Sequence, residues 1–301
     1  MPAVRQLYNE RAVPMWGDCN NNKAAKIRAG QIRKVQKRSA QRRPYKKRTL
    51  MTWKIKYLAE KPKLNKPILL EGLPGIGNVG KVAIDFIIEE LKAKKLAEFH
   101  GGAMPHSVFV NDKNLVELPT IELFYKKGEK DFLLLAGDVQ PSDELSCYEF
   151  CDTVLDAAQE FGCQEIVTLG GVALRQEPKK PQVYVTGTNK ELVQSYSKGN
   201  NTNTKLYGKV GPIIGVSGLL LGLAKRRNVQ AVSLLAETYG HPLYLGVSGA
   251  REILQILKKK LGVKVDIDLL DREIAEIEQE LGRRTQALQK KPKKGDVNYI
   301  G

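Results

Sequence analysis

The sequence predicts an α/β protein, a three-layer α/β/α domain built on a mixed, largely parallel sheet. Three observations carry this prediction. From Pro67 to Gly262, short apolar runs alternate with amphipathic segments of helical period, as in strands joined by crossover helices. A glycine-rich bend at residues 72–80 joins the first buried run to the first helix. An Asn111-Asp112 turn joins two neighbouring strand-like runs, which adds an antiparallel pair.

In chain order, alternation suited to a first strand begins at Met51 and runs to Tyr57. Ile68–Glu71 reads as a buried strand. Asn78 to Lys95 reads as a helix, with Val79, Val82, Ala83, Phe86, Ile87 and Leu91 on one face and Lys92, Lys94 and Lys95 closing it. Ser107–Val110 and Leu115–Tyr125 read as strands, and Phe132–Ala136 as a further apolar strand. Ser142 is the expected N-cap of a helix that turns Leu145, Tyr148, Cys151, Val154, Leu155, Ala158 and Phe161 inward and stops at Gly162. Strands follow at Glu165–Leu169 and Gln182–Val185, a helix at Lys190–Ser197, and a polar loop at Lys198–Lys205. Val210–Val216 reads as a strand, Ser217–Arg226 as a helix, Ala231–Ala236 as a strand, and a helix capped by Ser248 ends at Gly262. The domain is therefore placed at 51–262. An amphipathic helix at 263–289 follows, whose Ile267, Leu270, Ile274, Ile277 and Leu281 make a two-heptad seam for docking or subunit pairing. Residues 290–301 form a basic, Pro-containing tail.

The 301-residue chain carries a formal net charge of +16, unevenly spread. Residues 1–50 hold 14 basic and two acidic residues, leaving 35 basic and 31 acidic residues in the body, so most of the excess belongs to the leader. That leader lacks apolar periodicity and reads as disordered. It is either a non-structural extension, a translation start assigned ahead of Met51, or an RNA- or DNA-binding arm, and nucleic acid is expected only through it. The longest near-apolar run, Ile213–Ala224, is too short to span a membrane. Cys19, Cys147, Cys151 and Cys163 form no disulfide framework, which points to a reducing cytoplasm.

Candidate chemistry centres on the glycine bend. Gly75, Gly77 and Gly80 spell G-x-G-x-x-G between a strand and a helix, with Glu98 placed downstream as a ribose-binding acid would be. Gly75 to Lys81 also spell G-x-x-x-x-G-K, although Val82 stands where a phosphate loop needs a hydroxyl for magnesium. An anion site on Gly75, Gly77, Gly80 and Lys81 is one reading. A tight turn with close helix packing is the other. Glu237 and His241 follow a strand and could do acid–base work, or cap turns. Cys147 and Cys151 share a helix face but lack two further zinc ligands, and read as core thiols.

Several blocks then match one family together: Gly72-Leu73-Pro74-Gly75-Ile76-Gly77-Asn78-Val79-Gly80, Thr168-Leu169-Gly170-Gly171-Val172, Val185-Thr186-Gly187-Thr188-Asn189, Gly211-Pro212-Ile213-Ile214-Gly215-Val216-Ser217-Gly218-Leu219-Leu220, and Leu235-Ala236-Glu237-Thr238 running on to Gly240-His241. Over about residues 55–290 the chain resembles the archaeal proteasome assembly chaperones, relatives of the second eukaryotic proteasome assembly chaperone. The resemblance implies a purine nucleoside phosphorylase-like layout, no catalysis, no cofactor and no metal. It also implies a cytoplasmic homo-oligomer that contacts α-subunits of the proteasome core particle. Some such proteins insert a C-terminal hydrophobic-Tyr-any ending between α-subunits, which makes Tyr299, Ile300 and Gly301 the expected partner-binding residues. Here the ending departs from that pattern, since Tyr299 is third from last and follows Asn298. A nucleotide- or phosphate-dependent enzyme using the glycine bend, and an RNA-binding protein using the leader, are the rival expectations.

Overall fold

The computed structural model describes residues 53–272, except 102, 209, 242 and 243. The leader, the seam positions Ile274, Ile277 and Leu281, and Tyr299, Ile300 and Gly301 lie outside the described residues. The strands are β1 (Lys54–Tyr57), β2 (Ile68–Glu71), β3 (Lys94–His100), β4 (Phe109–Val110), β5 (Val116–Glu117), β6 (Ile121–Lys126), β7 (Phe132–Gly137), β8 (Glu165–Leu174), β9 (Val183–Gly187), β10 (Thr202–Asn203) and β11 (Gln230–Tyr239). The helices are α1 (Val79–Glu90), α2 (Glu144–Glu160), α3 (Lys190–Ser197), α4 (Val216–Arg226) and α5 (Val247–Leu261).

One sheet takes the order β1-β3-β6-β7-β2-β8-β11-β9-β10, and β4 and β5 form a separate hairpin. Its parallel centre is β7-β2-β8-β11, flanked by antiparallel β1, β3 and β6 on one side and by β9, antiparallel to β11, on the other. Central parallel strands are covered on both faces, and so read as continuous apolar runs: Leu133, Leu134 and Leu135 are all fully buried. On one face, α1, α3 and α5 pack against Leu70, Leu134, Val167 and Leu234. On the other, α2 and α4 pack against Leu69, Leu133, Leu135 and Ile166. Each such aliphatic side chain stabilises the fold by about 1.5–3 kcal/mol through burial.

Several boundaries differ from the sequence reading. α1 ends at Glu90, and Lys94, Lys95 and Glu98 lie on strand β3. The reversal turns on Lys92, which adopts φ +48°. The expected strand Leu115–Tyr125 is two pieces divided before β6, with Pro119 between them. Val210–Gly215 is not a strand but an irregular loop feeding α4. Asp143, not Ser142, caps α2 by accepting from Ser146 N–H at 2.9 Å, while the Ser142 hydroxyl donates to Ala103 O. Leu145 and Tyr148 are exposed, and Phe150 supplies the buried aromatic instead, edge-on to Trp53 and Phe99. α5 has no side-chain cap; Gly246 precedes it. Beyond α5, residues 263–266 are irregular and a helix begins at 267, with Val263, Val265, Ile267 and Leu270 buried on this chain's own core.

Candidate functional site

In open α/β sheets, ligand crevices open at the carboxyl ends of parallel strands where the connections diverge. Here that place lies between β2 and β8. The chain leaves β2 through α1 toward β3, and leaves β8 toward β9 on the opposite side. A cavity of about 590 Å³ sits there, walled by Gly75, Ile76 and Gly80, the end of β8 from Leu169 to Ala173, the 210–215 loop, Gln140 and Ser217.

Of the glycines of the bend, Gly77 and Gly80 serve the chain's own packing, whereas Gly75 has no tight neighbour. A Cβ on Gly80 would meet Leu169 O at 2.2 Å, and one on Gly171 would meet Ile76 O at 2.3 Å, so α1 lies directly on β8. Gly77 holds φ +60°, and its missing side chain leaves room for Thr238. Two tethers complete the turn: Asn78 N–H donates to Gly75 O at 3.0 Å, and Gly246 N–H to Gly77 O at 2.7 Å.

Gly75, Gly77 and Gly80 are thus brought together, and Gly75 and Gly80 line the cavity, but Lys81 is not among its walls. The Lys81 ammonium pairs with Asp85 at 2.9 Å and lies 3.8 Å from Asp138. Glu98 is corrected as a ribose ligand: it lies on β3, three strands from β2, and pairs with Lys95. Glu237 is held by β9, its carboxylate accepting from Gln182 N–H and Tyr184 O–H, both at 3.0 Å. His241 stacks on Tyr239. Cys151 is buried on the inner face of α2, Cys147 one turn earlier is only half-buried and so not a full core thiol, and burial pushes Cys163 up to about 11. Among the described residues, no group of three or more His, Cys, Asp or Glu is placed to hold a metal ion.

The residues missed by the sequence reading are Glu71 and Gln140. Glu71 ends β2 fully buried. Burial raises its pKa to about 7, opposed by Leu73 N–H, which donates to Oε1 at 3.0 Å, and by the Ser217 hydroxyl. Oε2 has no partner in hydrogen-bonding geometry, and neither does the buried Thr238 Oγ1. An acid closing an otherwise apolar strand was the available signal. Gln140 gave none; its side chain links Pro74 O to Val216 N–H and so ties the glycine bend to α4.

The same edge gathers exposed apolar side chains. Val108, Val110, Val116 and Leu118 share one face of the β4–β5 hairpin, following the pairing of Val110 with Val116. Ile76, Leu145, Tyr148, Tyr207, Ile214 and Leu245 belong to neighbouring segments. Among the described residues, Leu58 is the exception, a large exposed aliphatic at the opposite edge.

Comparison with known proteins fits this architecture. The crystal structure of Pyrococcus furiosus PbaB, an archaeal proteasome activator, is similar at 34% identity and a TM-score of 0.71, covering 78% of this chain and 100% of that one. That of Pyrococcus furiosus PbaA, an archaeal homolog of proteasome-assembly chaperone, is similar at 22% identity and a TM-score of 0.65, covering 79% and 93%. The uncharacterized Methanocaldococcus jannaschii protein MJ1210 is 26% identical over 265 residues, 83% of this chain and all of that one. The PAC2 family model matches residues 69–284, so the chain belongs to the PAC2 family.

Proposed function

We propose that the protein binds α-subunits of the proteasome core particle as a homo-oligomer in the cytoplasm, without ATP and without catalysis. One observation carries the reading. At the edge where an α/β enzyme would hold a ligand, Gly80 and Gly171 are closed off by the chain's own backbone and Gly77 by the Thr238 side chain, and the exposed groups include many aliphatic and aromatic side chains. Such a surface suits a protein partner. Family membership and the likeness to PbaA and PbaB support a proteasome-related partner. The tail ending Tyr299-Ile300-Gly301 adds a second, tethered contact, and several tails on one oligomer raise apparent affinity by ~10²–10⁴. Removing Tyr299 to Gly301 weakens binding to purified α-subunits in a direct titration; unchanged affinity removes the tail from the interface.

A second reading, favoured by the likeness to PbaB, makes the protein an activator of finished particles. Peptide hydrolysis by preassembled core particles separates the two. An activator raises it, whereas an assembly chaperone leaves it unchanged and speeds ring formation from subunits.

A further inference from the structure

At the opposite, amino edge of the parallel strands lies a cleft of about 680 Å³ walled by Leu91 at the end of α1 and by two lysine-bearing stretches distant in sequence, 126–132 and 259–264. The β6–β7 turn supplies Lys126, Lys127 and Lys130, the end of α5 supplies Lys259 and Lys260, and the segment beyond supplies Lys264. Glu129 is the one acid lining it, and pairs with Lys264 at 2.9 Å. Asp131, in the same turn, accepts instead from the backbone N–H groups of Asn65 and Gly128. Lys127, Lys130 and Lys259 are exposed and form no ion pair among the described residues.

Lysines at a helix end ordinarily answer the helix dipole. Here that accounts for too little charge. The C-termini of α1 and α5 each present about half a negative charge, roughly one unit together. Six ammonium groups against that and the carboxylates of Glu129 and Asp131 leave about three positive charges in excess. This one cleft therefore holds an excess comparable with that of the whole body, in which 35 basic residues face 31 acidic ones. Of the apolar residues beneath, Phe132 and Leu261 are buried and Leu91 alone is half-buried, so this mouth lacks the broad apolar centre of a protein interface. It also lacks arginine, the side chain whose planar fork suits carboxylates, and offers point charges that suit phosphates.

We propose that this cleft binds the phosphate backbone of a nucleic-acid strand without reading its bases. No exposed aromatic lines it to stack a base. The test uses the full chain, a labelled mixed-sequence single-stranded oligonucleotide and fluorescence anisotropy across a salt series. Each lost phosphate contact lowers the slope of log affinity against log salt by about 0.7. The variant Lys127→Glu, Lys130→Glu, Lys259→Glu loses about two units of slope and at least tenfold in affinity. A control with the same charge change outside the cleft, Lys54→Glu, Lys56→Glu, Lys63→Glu, keeps the slope within half a unit. Equal slopes in the two variants, or no measurable binding by the full chain, overturn the proposal, because contact would then be through net charge or the leader. Inorganic polyphosphate displaces the oligonucleotide if phosphates alone are recognised; failure to displace it overturns recognition through the backbone. Thermal melts of both variants confirm that they fold.

Discussion

Glu71 carries the clearest consequence at the level of single residues. Burial raises its folded-state pKa to about 7 from the ordinary carboxyl value of about 4.5, so between those values the folded protein holds a proton that the unfolded chain releases. The stabilising contribution is complete below about pH 4.5 and is lost as pH rises through 7, a change of about 3 kcal/mol. Glu71→Gln keeps the shape and removes the titration. Denaturant unfolding at pH 5 and pH 8 should show the natural protein losing about 2.5 kcal/mol more than this variant between the two values; parallel losses would mean that the carboxyl does not titrate in the fold. Around it, the sequence showed which glycines form the bend. It could not show that Gly80 is needed by Leu169 O, because that requirement comes from a strand about ninety positions away.

Among elements, the hairpin β4–β5 stands apart, because a two-stranded ribbon with an exposed aliphatic face is marginal in water by itself. If that face meets a protein partner, Val110→Glu with Val116→Glu leaves the melting temperature nearly unchanged but weakens α-subunit binding at least tenfold, about 1.4 kcal/mol. Binding retained by the double variant would place the interface elsewhere on the edge. The sequence reading recognised both strands of this hairpin and their turn, since the Asn111 side chain organises the reversal by accepting from Lys113 and Leu115 N–H. It extended α1 too far for a physical reason. β3 contains a register shift between Lys95 and Ala97, which buries the consecutive Leu96 and Ala97 and erases the two-residue period. Val210–Gly215 misread as a strand because its apolar residues line a cavity and a groove beside α4.

For the whole molecule, the absence of a nucleotide requirement is testable by thermal shift. A ligand at one hundred times its dissociation constant adds about 2.7 kcal/mol, or roughly 5–10 °C for a fold of this size. Nucleotides, dinucleotides and sugar phosphates are expected to leave the melting temperature in place, and a shift of that size would return the glycine bend to ligand binding. The layered architecture was readable from the alternation of periods. The amino-edge cleft was not, since its lysines converge only after folding. Arg251, in the first turns of α5, grips Asp271 with two of its nitrogens, so the last described helical turn is clamped to the start of α5 beside the carboxyl edge, and loss of either partner would release it from the core that Ile267 and Leu270 join.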